Sequence, residues 1–121
     1  MAQRIYDLGD RLLEFSISVG HIVKRLPGDR VGSHVAGQLL RSGTAPAAHY
    51  AEARGAESRR DFVHKMKLAL KELRESRFWL QFATRTDLGS TADLRESAHE
   101  CDELTAIFVR SIKTATSRSR E

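Results

Sequence analysis

Apolar residues recur every three or four positions along most of the chain, the spacing that places them on one face of an α-helix. The first segment shows this spacing without a break, at Ile5, Leu8, Leu12, Phe15, Val19, Ile22 and Leu26. Pro27 and Gly28 follow, and both residues favour the end of a helix. We therefore predict a first amphipathic helix whose apolar face lines a bundle.

Three further helices are predicted from the same spacing, and each begins at a polar residue that can cap a helix. The candidate caps are Asp29 or Ser33 for the second helix, Ser58 for the third and Ser90 for the fourth. Ser58 and Ser90 each precede an aspartate by three residues, as in a capping box. The inward residues are Phe62, Met66, Ala69, Leu73 and Leu80 in the third helix and Leu94, Ala98, Cys101, Phe108 and Ile112 in the fourth. The expected helices cover residues 3–26, 30–53, 58–86 and 91–115.

These elements predict the all-α class, since no segment alternates between apolar and polar residues with a period of two. Short connections make helices that follow one another antiparallel, so we expect an up-and-down four-helix bundle over residues 1–115. The chain of 121 residues is long enough for one core. Residues 116–121, rich in Ser and Arg, have nothing to bury and are expected to fray as a basic tail.

The composition is that of a globular protein with a mild basic excess. There are 20 Lys and Arg against 16 Asp and Glu, and the formal net charge is +4. This excess permits a polyanionic partner without requiring one. No apolar run approaches the roughly 20 residues of a membrane span, and the single cysteine excludes an internal disulfide. We expect a cytoplasmic protein with no membrane partner.

The second helix is slim, because its run RSGTAPAAHYAEA has few bulky side chains. On a helical wheel the core side carries Val35, Leu39, Ser42, Pro46, Tyr50 and Ala53. Small residues flank this side, with Gly43, Ala47 and Ala51 on one flank and Ala45 and Ala48 on the other. More than one neighbour can therefore approach the backbone, and we expect a homo-oligomer.

Arg41 and Glu52 share the outer side of this helix. They lie three turns apart, about 16 Å by helix rise, which is too far for a direct ion pair. Each is expected to find a partner on another helix or on another subunit. The alternative is that both side chains are merely solvated.

Several short motifs lie along the second, third and fourth helices. They are Gln-Leu-x-Arg-Ser at 38–42, Thr44 among small residues, Ala-Glu-Ala at 51–53, Ser-x-x-Asp-Phe at 58–62, the set Ala69, Lys71, Glu72, Glu75, Trp79 and Leu80, and Ser-Ile-Lys-Thr at 111–114. Together they resemble the four-helix bundle proteins encoded in intervening sequences of bacterial 23S ribosomal RNA genes. One departure is His49, at a position where that family usually has Asn.

The resemblance implies a bundle that assembles as a ring, most often a pentamer, and it brings no enzymatic activity. The family is similar in fold to the accessory protein of diversity-generating retroelements, a basic ring that associates with a reverse transcriptase and nucleic acid. RNA, DNA and a protein such as a reverse transcriptase are therefore the expected partners. The residues expected at the subunit interface or in the family motif are Arg41, Ala45, Ala48, Glu52, Glu72 and Trp79.

Residues for catalysis or for a cofactor do not stand out. A di-iron bundle needs two Glu-x-x-His motifs, and only Glu96 to His99 fits. Cys101 lies on the apolar face of the fourth helix, which indicates a buried thiol rather than a nucleophile. We predict neither an enzyme nor a cofactor or metal site.

The strongest functional signal is a basic stripe on the third helix, opposite its apolar face. Its members recur at steps of four and three, at Arg60, His64, Lys67, Lys71 and Arg74. Repeated around a ring, the stripe would form a positive belt that releases counterions from phosphates. The alternative is a solvated surface in which Lys71 pairs with Glu75.

Two functions follow as hypotheses. The first is a non-enzymatic oligomeric scaffold that binds nucleic acid through the basic stripe, with Tyr50, Phe78 and Trp79 as aromatic residues able to stack on bases. For Trp79 at least, buried packing is the favoured alternative. The second is a protein-interaction ring without a role in nucleic-acid binding. A remote third option is an enzyme whose site lies between subunits.

Overall fold

The computed structural model describes residues 8–119, which form four α-helices and no β-strand. The helices are α1 (Leu8–Arg25), α2 (Arg30–Arg54), α3 (Arg59–Arg85) and α4 (Thr91–Ser119). Each helix packs against the next one in sequence, and α1 also contacts α4, so that the four form a bundle. The all-α prediction is confirmed. Within the described part of the chain, no helix has both the length and the apolar composition that crossing a membrane requires.

The predicted capping residues begin the helices by accepting backbone hydrogen bonds. Asp29, rather than Ser33, caps α2, and its Oδ1 accepts from the backbone N–H of Gly32 at 2.7 Å. Ser58 accepts from the N–H of Asp61 at 3.0 Å at the start of α3. Ser90 and Asp93 make the equivalent bond before α4, at 3.4 Å. Each bond satisfies an N–H that has no partner within the helix.

The helix bounds differ from the expected ones mainly at the two termini of the chain. The predicted start of the first helix, at residues 3–7, lies outside the described residues. At the other terminus α4 continues to Ser119, so residues 116–119 are helical instead of forming the frayed tail that we expected. Thr116 is half-buried and lies beside α3, which gives this last turn a neighbour to pack against.

The core consists of the apolar faces that the spacing predicted. The largest fully buried side chains are Leu12, Phe15 and Val19 of α1, Val35, Leu39 and Pro46 of α2, Met66, Leu73 and Leu80 of α3, and Leu94, Leu104 and Phe108 of α4. Phe62, Ala98 and Ile112 were expected inside but are half-buried at its edge. Burial of each large apolar side chain stabilises the fold by about 1.5–3 kcal/mol.

The small residues of α2 allow close approach of its two neighbours within the same chain. On the α1 side, the Oγ of Ser16 donates to the carbonyl of Gly43 at 3.2 Å. On the α3 side, the buried Oγ of Ser76 donates to the Oγ of Ser42 at 3.1 Å. Much of the slimness of α2 therefore serves packing inside the bundle.

Gly43 lies where α1 packs tightly against α2, and we expect Gly43→Ala to destabilise the protein. A Cβ at this position would lie 2.8 Å from Cγ1 of Val19, a buried and conformationally stiff side chain. Overpacking of this kind costs about 1–3 kcal/mol. The change in the free energy of unfolding, measured with urea, tests this expectation.

Gly37→Ala is the matched control, because a Cβ at Gly37 of the same helix meets no atom within 4 Å. Alanine is the better helix former, so this substitution should stabilise the protein by about 0.5–1 kcal/mol. The double variant Gly43→Ala/Val19→Ala should lose less stability than the sum of its single changes. Equal effects of Gly43→Ala and Gly37→Ala would contradict the tight contact.

Candidate nucleic-acid interface

The five residues of the basic stripe lie along one side of α3 and are all exposed to solvent: Arg60, His64, Lys67, Lys71 and Arg74. None of their side chains forms an ion pair or a hydrogen bond with another described residue. The positive charges of Arg60, Lys67, Lys71 and Arg74 are therefore available to a ligand. The sequence spacing placed these cations on one line, and the structure agrees with that placement.

Several other cationic side chains of the bundle are paired with carboxylates. Arg11 of α1 bonds Glu100 and Glu103 of α4, at 2.6 and 3.1 Å. Arg77 of α3 bonds Asp102 of α4 at 2.9 Å. The stripe residues have no such ion pair, a property they share with other exposed cations such as Lys24, Arg30 and Arg95. What distinguishes the stripe is the alignment of its members along one side of α3.

The Lys71–Glu75 ion pair that would have neutralised part of the stripe is not formed. The Glu75 carboxylate instead bonds the Arg41 guanidinium and accepts from the Trp79 indole N–H at 3.0 Å. The hydrogen bond from Arg41, followed by that from Trp79, holds the pKa of Glu75 below its ordinary value. The main partners of Glu75 are therefore Arg41 of α2 and Trp79, while the charge of Lys71 acts on it only as a smaller cause of the lowered pKa.

A groove of about 780 Å³ between α3 and α4 extends the stripe onto the neighbouring helix. Its rim carries Lys67, Lys71 and Arg74 of α3 and Lys113 of α4, and its lining contains no acidic residue. The apolar part of the lining comes from Leu70, Val109 and Ile112. Cations on both helices give this groove an unbalanced positive charge.

Lys113 is the member of this surface that the sequence interpretation did not assign to it. The sequence does indicate a basic segment there, because no acidic residue occurs between Glu103 and Glu121, whereas Arg110, Lys113 and Arg118 lie in this interval. Helical spacing alone could not show that Lys113 faces α3, since this depends on the rotation of α4 about its own axis.

Three of the residues expected from the family motif meet between α2 and α3. Arg41 donates to Glu72 at 3.1 Å and also bonds Glu75, which in turn accepts from Trp79. Gln38 of α2 accepts from Arg41 as well, at 3.2 Å. Arg41, Glu72 and Trp79 thus join a single polar network within one chain.

The remaining expected interface residues lie further along α2. The carboxylate of Glu52 lies 3.3 Å from Nζ of Lys65 on α3 and 3.5 Å from Nδ1 of His49. The bond to Lys65 is the main reason that the pKa of Glu52 lies below its ordinary value. Ala45 is half-buried and Ala48 is exposed. The partners of Arg41 and Glu52 are therefore on another helix of the same chain.

The three candidate stacking residues have different environments. Tyr50 packs edge-to-face on Phe108, with ring centroids 6.2 Å apart. Trp79 is half-buried and contacts His34 and Phe82. Phe78 is 55% exposed and is the one aromatic residue among the large exposed apolar side chains of the described chain. Phe78 alone therefore offers an open ring.

Ligands for a metal do not gather in the described part of the chain, where no three His, Cys, Asp or Glu side chains come together suitably. His99, from the single Glu-x-x-His motif, bonds Glu103 at 2.9 Å. Cys101 is fully buried, as the apolar face of the fourth helix predicted. Neither residue lies on the rim of the α3/α4 groove.

Comparison with known proteins agrees with the helical architecture. The chain matches the family model of the 23S rRNA-intervening sequence protein over residues 7–110. A solved structure with a similar fold is that of a protein of unknown function from the S23 ribosomal protein family of Bacteroides thetaiotaomicron. It is 31% identical, the match covers 88% of this chain and 99% of that chain, and the TM-score is 0.83. None of the curated proteins matches the chain.

Proposed function

The chain belongs to the 23S rRNA-intervening sequence protein family. Because the similar structure from Bacteroides thetaiotaomicron is that of a protein of unknown function, we propose a function from the chemistry of this chain's surface. The protein is a non-enzymatic, oligomeric scaffold that binds nucleic acid through the basic stripe of α3. A cytoplasmic location stays a prediction from the composition.

The observation that carries this proposal is a row of exposed basic residues on α3 that form no ion pair within the described chain. Arg60, His64, Lys67, Lys71 and Arg74 are exposed and without ion-pair partners in the described chain. Lys113 of α4 adds a further cation on the other side of the α3/α4 groove. Unpaired lysines and arginines gain most from phosphates, because each contact releases condensed counterions from the nucleic acid.

The same surface also indicates how the ligand is contacted. Long cationic side chains reach phosphates, whereas reading a base sequence needs groups that make paired hydrogen bonds to base edges. Lys67, Lys71 and Lys113 provide point charges without such geometry, and within this surface the paired donors belong to Arg60 and Arg74. We therefore expect binding that depends strongly on salt and weakly on sequence.

Fluorescence anisotropy with labelled RNA and DNA of several sequences, measured over a salt series, tests the proposal. The logarithm of the affinity should fall linearly with the logarithm of the salt concentration, by about 0.7 to 0.9 for each phosphate that is neutralised. Absence of binding at low salt would refute the proposal. Saturable binding of a protein, such as a reverse transcriptase, that survives high salt would favour the protein-interaction ring.

We further infer that the helices alternate in direction and that the bundle assembles into a ring. Arg11 and Arg25 of α1 pair with Glu100 and Asp93 of α4 respectively, so residue numbers rise along one helix as they fall along the other. Assembly is supported by exposed apolar side chains on α1 and α2, namely Leu13, Ile17, Val31 and Leu40. A pentamer is what the family resemblance implies.

We expect the purified protein to elute with the mass of an oligomer, measured by light scattering at micromolar concentration. Ala48 is exposed on α2, so Ala48→Leu should lower this mass or destabilise the assembly by about 1–3 kcal/mol through overpacking. Ala106→Leu, at an exposed position of α4, is the matched control. A monomeric parent protein, or an unchanged mass and melting temperature for Ala48→Leu, would mean that the outer face of α2 faces solvent and takes no part in assembly.

A further inference from the structure

We propose that the basic surface takes single-stranded nucleic acid and that one of its bases stacks on the exposed ring of Phe78. This inference rests on the proposed function, since the cations of the stripe bring the strand to the ring. It goes further by naming the form of nucleic acid and the residue that distinguishes it from a duplex.

Phe78 continues the line of the stripe along α3. It follows Arg74 by four residues, the same step that separates Arg60 from His64 and Lys67 from Lys71. From Arg60 to Phe78 the line is about 27 Å long by helix rise. The large exposed apolar residues elsewhere in the described chain are aliphatic: Leu13, Ile17, Val31, Leu40 and Val109. An open aromatic ring thus occurs at the end of the row of unpaired cations.

The ring of Phe78 is supported from the side by other aromatic residues. Its centroid lies 4.8 Å from that of Trp79 in an edge-to-face contact and 6.3 Å from that of Phe82. Trp79 is itself held, because its indole N–H donates to Glu75 and Glu75 is bonded by Arg41. A ring restrained in this way loses little conformational freedom when a base stacks on it.

Single strands fit this arrangement better than duplexes. The bases of a duplex already stack on one another, so no base face is free to stack on a ring that lies beside the backbone. A single strand exposes those faces, and proteins that bind single strands combine a positive track with aromatic stacking. The stripe supplies the track, and Phe78 supplies the stacking surface.

The test compares two labelled oligomers of equal length, oligothymidylate and its abasic counterpart, which carry the same phosphates. A thymidylate duplex with its complement is the third ligand. The intact protein should bind oligothymidylate about tenfold more tightly than the abasic oligomer, within the range for stacking of one base. Oligothymidylate should also quench the fluorescence of Trp79, the single tryptophan of the chain.

Phe78→Ala should bind both oligomers with the affinity that the parent protein has for the abasic oligomer. The salt dependence of its binding should be unchanged. Phe78→Tyr keeps a ring and should retain the preference for oligothymidylate. Gln81→Ala, at an exposed position of the same helix that carries neither a ring nor a charge, is the matched control and should behave like the parent. Because Phe78 is mostly exposed, the variant is expected to fold, which circular dichroism checks.

Each remaining outcome counts against the inference. Equal, salt-dependent binding of both oligomers by the parent protein would overturn stacking on Phe78 and leave the proposed function standing. Binding of neither oligomer at low salt would overturn both. If Phe78→Ala changed the oligomeric mass instead of the preference for bases, the ring would belong to a contact between copies of the chain.

Discussion

Cys101 is expected to react with thiol reagents on the order of a thousandfold more slowly in the folded protein than in the unfolded chain at pH 8, because the thiolate is the reactive form. Burial raises the pKa of Cys101 to about 12 from the ordinary 9.0, and the neighbouring Asp102 charge adds to the rise. The side chain is fully buried, and its thiol donates to the carbonyl of Leu73 at 3.2 Å.

The measurement compares labelling rates in buffer and in denaturant. Since Cys101 is the single cysteine, the signal comes from one site. A folded-state rate within a few fold of the unfolded rate would mean that this face of α4 is turned toward solvent. It would also reopen a chemical role for the thiol.

The same raised pKa predicts a loss of stability at alkaline pH. Below about pH 9 the folded and unfolded states both keep the Cys101 proton, so its contribution is fully present. Between about 9 and 12 the unfolded chain loses the proton while the folded protein retains it. The free energy of unfolding should therefore fall by up to about 1.4 kcal/mol per pH unit. Cys101→Ala lacks this group, so the difference between its pH profile and that of the parent isolates the effect.

The core could be predicted because a buried helix face needs only the chain's own periodicity. Leu12, Phe15 and Val19 lie at steps of three and four, and all three are buried. The caps could also be predicted, because Ser58 and the N–H that it accepts from are three residues apart. Both features are local, so a single helix determines them.

Contacts between helices could not be predicted in the same way. Gly43 and Gly37 are both glycines on α2, yet a Cβ would clash with Val19 at Gly43 alone. Likewise, the sequence left open whether Arg41 and Glu52 pair within the chain, and α3 supplies both partners. These outcomes depend on the rotation and register of one helix against another, which are determined by packing of the whole bundle.

The candidate site was predictable as a line of charges but not as a surface. Spacing on α3 identified four cations and His64, whereas the Lys113 side of the groove depends on how α4 packs against α3. The sequence favoured a packed position for Trp79, but the neighbouring aromatic residues at positions 78, 79 and 82 did not reveal that Phe78 faces solvent. Trp79 is half-buried and packs against His34 of α2.

Removing three charges of the stripe should weaken nucleic-acid binding on the order of a hundredfold at 0.1 M salt. The variant is Lys67→Ala/Lys71→Ala/Arg74→Ala, and these side chains share the rim of the α3/α4 groove. Three lost phosphate contacts should reduce the slope of the logarithm of affinity against the logarithm of salt concentration by about 2 to 3. The fold should be retained, because all three residues are exposed and make no ion pair within the described chain.

A second triple variant separates the stripe from the net charge of the protein. Lys24, Arg30 and Arg95 are likewise exposed and without ion-pair partners in the described chain, and they lie on α1, α2 and α4. Replacing them with alanine lowers the formal net charge by the same amount but leaves the α3 row of cations intact. If the cations of α3 form the binding surface, this control should keep nearly the parental salt dependence, since condensed counterions are released only where a cation meets a phosphate. An equal loss of nucleic-acid affinity in the two triple variants would mean that the overall charge attracts nucleic acid without a defined site. An unchanged salt dependence in the folded stripe variant would instead favour a protein partner.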